Sequence, residues 1–553
     1  MGQIHLYMVL HGNLGFSSIP KDQYSRVLDV CYWPMIKLIE DGCLLGIEFP
    51  AETLLEIQKM DPSFLWRLTE LWNQGKCEII GSGFSQIIMP LAPYKVNRNN
   101  LELGMVHYEK LLGNRPKIAF IPEQTFSRGI PSLYEEMDFI ALIMDWDNAT
   151  EYNCYPAEYR YRPALVSSGK GKTLPVIWNS SMNSYKFQRY IYGRISLFDY
   201  MAGIMEHMDA KQTRTFCLYG TDWEIFNYRP VTQEEATGEI ERVKTLFEAL
   251  KKKGDVHFCL PSQTLEILPP KEVIEIASPE IPVPTKNRDD YNVVRWAVSG
   301  RDDVQHNTRC YDLFRLIEQV QFLDPSQNNR ESWMKLVKLW GSDFRTKTTD
   351  EKHHEFWTQM GSSYSEAKKA IADILNPHEV TGDVLIYNLT PYDWKNEIVE
   401  VQLYFDRGRF HDLIGLKIEG EEVPSQCERI EYYHDGSLRR LWLVFCLSIK
   451  SGEVKAGQFI PVSSIKYGHY TLRLNGPELS VSTSSVSFQV NTNTGADIRQ
   501  LVFNQLSPVP FIKYLPPVYF DNIAYSNDYF SGWSQLCNSR GQIFHDTVPT
   551  TFR

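Results

Sequence analysis

Ile4-His-Leu-Tyr-Met-Val-Leu10, followed at once by His11-Gly-Asn13, is an apolar run of strand length that stops on polar residues. The unit returns at Leu44 to Phe49, Cys77 to Ile80, Lys117 to Ile121, Phe139 to Met144, Leu174 to Trp178, Thr215 to Tyr219 and Val256 to Leu260. Stretches with helical spacing lie between several of them, at Tyr24 to Glu40, Ala51 to Asn73 and Val96 to Leu112. Continuous apolar strands are buried on both faces, and helical crossovers between them make a parallel sheet. Seven or eight such units within the first 265 residues fit a closed α/β barrel of the (β/α)7 type. An open doubly wound sheet fits less well, because no glycine-rich phosphate fingerprint follows the first run.

Beyond this region the pattern changes twice. Proline-rich breaks at Ile267-Leu-Pro-Pro and Ser278-Pro-Glu-Ile-Pro-Val-Pro lead into helical spacing at Thr308 to Phe322, Arg330 to Trp340 and Glu355 to Leu375. After Asn376-Pro-His the alternation has period two, at Val384 to Leu389, Ile398 to Phe405, Arg440 to Phe445 and Val481 to Val490. The expected organisation is a catalytic α/β barrel over 1–265, a linker and helical segment over 266–378, and an antiparallel β-sandwich over 379–553. The last residues, Thr550 to Arg553, carry no closing strand pattern, so the sandwich is expected to be incomplete.

Composition narrows the function. The 553 residues carry 57 Lys plus Arg against 68 Asp plus Glu, a net charge of −11, which disfavours nucleic acid as a partner. No run of about 18 apolar residues exists to span a bilayer, so no membrane partner is expected. The N-terminus lacks the basic and small-residue features of a secretion signal, and Leu6 breaks the myristoylation pattern. Ten cysteines without a C-x-x-C pair read as reduced, mostly buried thiols of a cytoplasmic protein. The sequence does not fix the oligomeric state.

A barrel gathers its chemistry where strands finish. Those positions are His11, Glu48, Gln86 in Gly81-Ser-Gly-Phe-Ser-Gln86, Glu123-Gln124, Asp145-Trp146-Asp147, Trp178-Asn179 and Asp222-Trp223-Glu224. Acids and amides interleaved with aromatic faces suit a sugar, whose C–H surface stacks on rings while its hydroxyls take hydrogen bonds. Two carboxylates facing one glycosidic bond suffice for hydrolysis or transfer. His5, His11 and several Asp could serve a metal, but no His-x-His, His-x-Asp or His-Glu-x-x-His spacing accompanies them. No metal and no cofactor are expected; the partner is an oligo- or polysaccharide.

These motifs resemble the catalytic domain of family-57 glycoside hydrolases, which includes α-amylase-like enzymes, 4-α-glucanotransferases and branching enzymes. Leu10-His11-Gly12-Asn13 resembles the first motif, although the usual Gln-Pro after the histidine is absent. Gly75-Lys-Cys-Glu78-Ile-Ile-Gly-Ser-Gly-Phe-Ser-Gln86 is similar to the second motif, and Phe120-Ile-Pro-Glu123-Gln-Thr-Phe to the third. Gly220-Thr-Asp222-Trp-Glu224-Ile-Phe226 resembles the fourth, with Trp223 where a glycine is usual. The resemblance implies a retaining mechanism with Glu123 as nucleophile and Asp222 as acid/base, on an α-glucan or related oligosaccharide. That mechanism needs a proton on Asp222, for which Glu224 is the neighbouring carboxylate. A salt bridge from Glu224 to Arg229 is the bland alternative. His11, Glu48, Glu78, Gln86, Asp145, Asp147, Trp146, Trp178, Asn179, Trp223 and Glu224 are then expected at the substrate, with Trp146 and Trp223 as platforms. The departures suggest a divergent subfamily. Competing readings are a non-catalytic glycan-binding or polysaccharide-biosynthesis relative and a metal-dependent mannosidase or polysaccharide deacetylase on a similar barrel.

Overall fold

The computed structural model describes residues 2–150, 153–169, 171–229, 238–276, 293–326, 328–345, 348–375, 382–461, 471–493, 497–506, 509–510, 512–513, 535–537 and 543–545. The proline-rich break at Ser278, the Asn376-Pro-His boundary and the last residues from Thr550 lie outside them.

Ten strands build the first sheet: β1 (Ile4–His11), β2 (Leu45–Glu48), β3 (Cys77–Gly81), β4 (Ile118–Phe120), β5 (Ala141–Asp145), β6 (Ala164–Gly169), β7 (Lys172–Asn179), β8 (Arg214–Asp222), β9 (Val256–Phe258) and β10 (Val273–Ile274). Their order is β10-β6-β7-β5-β4-β3-β2-β1-β8, with β9 on the first half of β1. Every pairing is parallel except β6 with β7. β7 and β8 meet through side chains. The Asn179 amide of β7 donates to the Gly220 carbonyl of β8, Asn183 Nδ2 of the following helix Ser181–Ile191 donates to Cys217 O of β8 at 3.2 Å, and the Tyr7 hydroxyl of β1 donates to Trp178 O of β7. Seven parallel strands, β1 to β5, β7 and β8, thus make the expected (β/α)7-type barrel.

Strand parity sorts the residues. Tyr7, Val9, Ile80, Ile118, Phe120, Ala141, Ile143, Ile177 and Cys217 form one interior cluster, filled as barrel interiors are. The alternate positions pack outward against the helices. Gly46 faces this interior, where an added Cβ would stand 2.8 Å from both Ile80 Cδ1 and Pro261 Cγ, leaving no room for a side chain.

Two helical stretches are interrupted where the sequence reads them as continuous. Tyr24 to Glu40 is broken by a π-turn at Leu28–Tyr32 before the helix Trp33–Glu40. Pro34 has no N–H for the Val30 carbonyl, which accepts instead from Asn227 Nδ2 at 3.2 Å. Ala51 to Asn73 splits into Ala51–Met60 and Pro62–Asn73, because Asp61 caps the second helix through Ser63 N and Pro62 suits its first turn.

Helices Asp303–Leu323, Arg330–Leu339 and Asp350–Leu375 share the hydrophobic core of the barrel through Cys310, Leu313, Trp333, Leu336 and Phe356. They belong with the barrel to one compact unit, Met1–Asn376; Pro377–Arg553 is the second. In that unit Val384–Tyr387, Val454–Pro461, Ile414–Ile418 and Glu421–Val423 form one antiparallel sheet, and Trp394–Tyr404, Leu438–Ile449 and Ser425–Tyr432 another. Ile386, Leu416 and Ile418 of the first meet Leu441, Leu443 and Phe445 of the second in one core, the expected sandwich. Further antiparallel strands run from Thr471 to Lys513. Among the described residues no helix is long and apolar enough to cross a membrane, and nine cysteines are free.

Candidate active site

The barrel interior changes character at one level. Above Val9, Ile143, Ile177 and Gly46 the next inward positions are His11, Asp145, Asn179 and Glu48, all polar. His11 is in register with Glu48 of β2 and with Asp222 of β8. That last alignment depends on a bulge: Tyr7 faces Cys217 but Met8 faces Tyr219, so one extra residue slips in. Tyr219 thereby turns out to pack on Phe187, ring centroids 5.1 Å apart, and Asp222 arrives beside His11.

His11 is the hub. Its Nδ1 bonds the Glu48 carboxylate, which also accepts from the Ser82 hydroxyl and is fully buried. Its ring lies parallel to Phe120, centroids 5.6 Å apart, and the Gln86 amide stands 2.9 Å from Nε2. Burial alone would strip the imidazole of its proton, but the Glu48 carboxylate, helped by Asp222 and Glu224, pushes its pKa up to about 10.

Glu123 follows β4 in a tight turn with φ 52°, and Gln124 follows with φ 56°. Two successive left-handed residues that are not glycine store strain, which collects at functional sites. The turn is held by Gln124, whose Oε1 accepts from Asp145 N at 2.5 Å while its Nε2 donates to Ile121 O at 3.2 Å. Glu123 itself is half-buried.

Asp222 is exposed, whereas Glu224 is only 2% exposed. β8 ends at Asp222 and a 3-10 turn, Trp223–Ile225, swings Glu224 inward. Its Oε1 accepts from Asn13 N at 2.7 Å and from the Tyr32 hydroxyl. Burial pushes the Glu224 pKa up to about 7, against the Tyr32 bond and the His11 charge and with help from Asp222. Arg229 pairs with Glu239, so the salt-bridge reading of Glu224 is corrected.

The remaining acids and amides serve the scaffold. Asp145 caps the turn Trp146–Ala149 through Asn148 N at 2.9 Å and accepts from the Ser181 hydroxyl. Burial and the Asp147 charge push its pKa up to about 6. Asp147 accepts from Ser180 Oγ at 2.7 Å and Met182 N at 3.0 Å, holding the start of the helix Ser181–Ile191. Asn179 spends its amide on Gly220 O and on Ser180 N at 2.7 Å.

Four expectations are corrected by position. Trp223 is 0% exposed, with Tyr32 at 4.6 Å and Phe49 at 5.3 Å, so it offers no face to a sugar. Trp146 and Trp178 are buried edge to face at 5.1 Å in the outer layer, so neither is an open platform. Glu78 faces the interior but at the start of β3, where it accepts from Ser262 N at 2.8 Å at the opposite mouth of the barrel.

The structure brings Asp343, Lys338, Lys352 and Tyr32, which no sequence motif marks, to the neighbourhood of Asn13 and Gln86. Asn13 Nδ2 donates to the Asp343 carboxylate at 3.1 Å, joining the β1 loop to the helical segment. Burial pushes the Asp343 pKa up against the Lys352 charge and the Asn13 amide. Gln86, Asn13, Asp343, Lys338 and Lys352 line a polar cleft beside His11. Nothing local in Gly341-Ser-Asp343-Phe marks Asp343, which is 330 residues from Asn13. Tyr32 is hidden because its spacing reads as helix core. Among the described residues no group of three or more His, Cys, Asp and Glu is arranged to hold a metal ion.

Residues 15–277 match the family described as Glycosyl hydrolase family 57. The fold is similar to a 4-alpha-glucanotransferase from Thermococcus litoralis, at 13% identity and a TM-score of 0.50, over 95% of this chain and 71% of that one. It is also similar to an alpha-mannosidase from Enterococcus faecalis V583, at 13% identity and a TM-score of 0.61, over 93% of this chain and 62% of that one. A family-38 glycosyl hydrolase protein from Enterococcus faecalis is similar at 12% identity and a TM-score of 0.55, over 91% and 59%. The chain thus spans less than two thirds of the length of these last two. No curated protein matches.

Proposed function

We propose, from the match of residues 15–277 to Glycosyl hydrolase family 57, that the chain cleaves or transfers α-glycosidic bonds with retention, on an α-glucan or a related oligosaccharide. Glu123 is the nucleophile and Asp222 the acid/base. One observation supports this above the others: the inward positions at the strand ends are polar together around His11, with the strained Glu123 turn after β4 and Asp222 brought beside His11 by the β8 bulge. The similarity to a glucanotransferase is one of fold, and it makes an α-glucan the first substrate to try.

In the first step the Glu123 carboxylate attacks the anomeric carbon, and Asp222 gives its proton to the departing glycosidic oxygen. Water or an acceptor hydroxyl then cleaves the ester, passing its proton to Asp222 and freeing Glu123. His11, fixed by Glu48 and stacked on Phe120, presents a positive charge at a mouth lined with carboxylates. It is suited to hold a sugar hydroxyl and to limit repulsion between the acids.

Product analysis on neutral glycans and maltooligosaccharides tests this, with wild type beside Glu123→Ala and Asp222→Asn. Loss of at least about 10³-fold in turnover is expected in both variants, as is usual for groups that act in the transition state. Longer as well as shorter products would make the chain a transglycosylase, and shorter ones alone a hydrolase. Binding without turnover, insensitive to either substitution, would instead favour a non-catalytic glycan-binding protein.

A further inference from the structure

The helix Pro62–Asn73 turns Phe64, Leu68 and Leu71 into the core. Its opposite stripe, Pro62, Trp66, Thr69 and Asn73, follows helical spacing along the outside of the barrel wall. There it borders a groove of 350 Å³, completed by Gln58 and by Leu111 to Asn114 at the end of the helix Tyr94–Leu112. That volume falls within the range of small-molecule sites, ~300–1,000 Å³. The groove sits on the outer wall and shares no residue with the polar cleft beside His11.

Three features define what fits. Trp66 is 66% exposed, a large flat apolar face left open to solvent. None of the residues lining the groove is charged, on a chain that is 23% charged overall. The adjacent Arg67 is engaged elsewhere, with Glu40 at 2.6 Å and with Glu70. The polar groups present are uncharged donors and acceptors: the Gln58 and Asn73 amides, the Asn114 side chain, and Thr69 Oγ1, which is buried without a hydrogen-bond partner. The helix Tyr94–Leu112 ends on Gly113, whose N–H bonds the Glu109 carbonyl, and its last residues form the other wall of the groove. An indole face with neutral hydrogen-bonding groups along its edge matches the two surfaces of a pyranose, C–H bonds on one side and hydroxyls around the rim. A nucleic acid or an acidic peptide would find no cation here, and a basic peptide no carboxylate.

We propose that this groove is a second carbohydrate-binding site, in which a segment of a neutral glycan chain lies across Trp66 while another part of the chain is processed at the barrel mouth. The proposal rests on the reading of the barrel as a glycan-active enzyme. Its role is retention of long substrates, and the groove takes no part in bond cleavage.

Migration of the full chain in native gels containing soluble starch or mannan, against gels with no polysaccharide, tests the site. Turnover of maltoheptaose and of starch is measured alongside. Wild type should be retarded by at least one of the polymers. Trp66→Ala should weaken that retardation about ten-fold, the upper range for an aromatic contact, and Trp66→Phe should fall between. The alanine variant should keep the wild-type melting temperature, since Trp66 is exposed. It should also keep the rate on maltoheptaose while its KM for starch rises with kcat unchanged. No retardation of wild type by either polymer, or equal retardation of Trp66→Ala, overturns the proposal. If wild type turns over neither substrate, the enzymatic reading fails separately, while retardation lost on Trp66→Ala would still uphold the binding site.

Discussion

Asp222 and Glu224 stand two residues apart in opposite surroundings, one exposed and one sealed beneath Tyr32 and Asn13. Glu224 is the carboxyl that burial drives up to about 7, from an ordinary value of 4.5. An acid whose folded pKa is raised favours the folded state when protonated. Its contribution is therefore fully present below pH 4.5 and lost as pH rises toward 7 and beyond. Glu224→Gln keeps the acceptor for Asn13 and Tyr32 and removes the titration. Urea denaturation should find the variant close to wild type at pH 4.5 and more stable by on the order of 2–3 kcal/mol at pH 8. Equal pH dependence in the two proteins would mean that Glu224 is ionised in the native state at neutral pH. The same pair shows what the sequence could carry at this scale. The places of Asp222 and Glu123 are legible because a strand end followed by a turn puts a side chain at the barrel mouth, while the roles proposed for them come from the family resemblance. The buried fate of Glu224 depends on a 3-10 turn and on Tyr32, 192 residues away.

At the scale of the element, period two decides which side chains reach the barrel mouth. His11, Glu48, Asp145, Asn179 and Asp222 share the inward parity of their strands. Trp178 alternates with Ile177 and Asn179 on β7 and packs outward, while Trp146 and Trp223 open the turns that follow β5 and β8 and are buried in the same hydrophobic core. An aromatic residue next to a mouth carboxylate therefore resembles a sugar platform in sequence, although the strand or turn that carries it sends the ring to the core. Glu78 has the right parity and the wrong height, three residues before the end of β3. The β8 bulge, which shifts parity midway, leaves no mark in an apolar run such as Thr215 to Tyr219. The closure between β7 and β8 is likewise invisible, because it is made by side chains. Asn179→Ala removes the donor to Gly220 O and the acceptor for Ser180 N, both buried. Stability should fall by about 1–3 kcal/mol, the cost of leaving a buried carbonyl unmet, seen as a lower melting temperature. An unchanged melting temperature would mean that the bonds from Tyr7 of β1 and Asn183 of the helix Ser181–Ile191 hold this side of the barrel without Asn179.

For the whole molecule, the seven-strand barrel and the sandwich were readable because each repeats one local pattern many times. The place of the helical segment was not. Its spacing gives helices, but only their shared core and the Asn13–Asp343 bond show that it completes the cleft beside His11. Long-range pairing of this kind leaves no local pattern. The account as a whole stands on one covalent event, the bond between Glu123 and a sugar, and intact-protein mass spectrometry reads it directly. The full chain is incubated with 5-fluoro glycosyl fluorides of gluco, galacto and manno configuration, then digested and mapped. The account predicts one added glycosyl unit, carried by the peptide that contains Glu123 and absent from Glu123→Ala. A label on another carboxylate, or turnover giving the inverted anomer with no label, would contradict it.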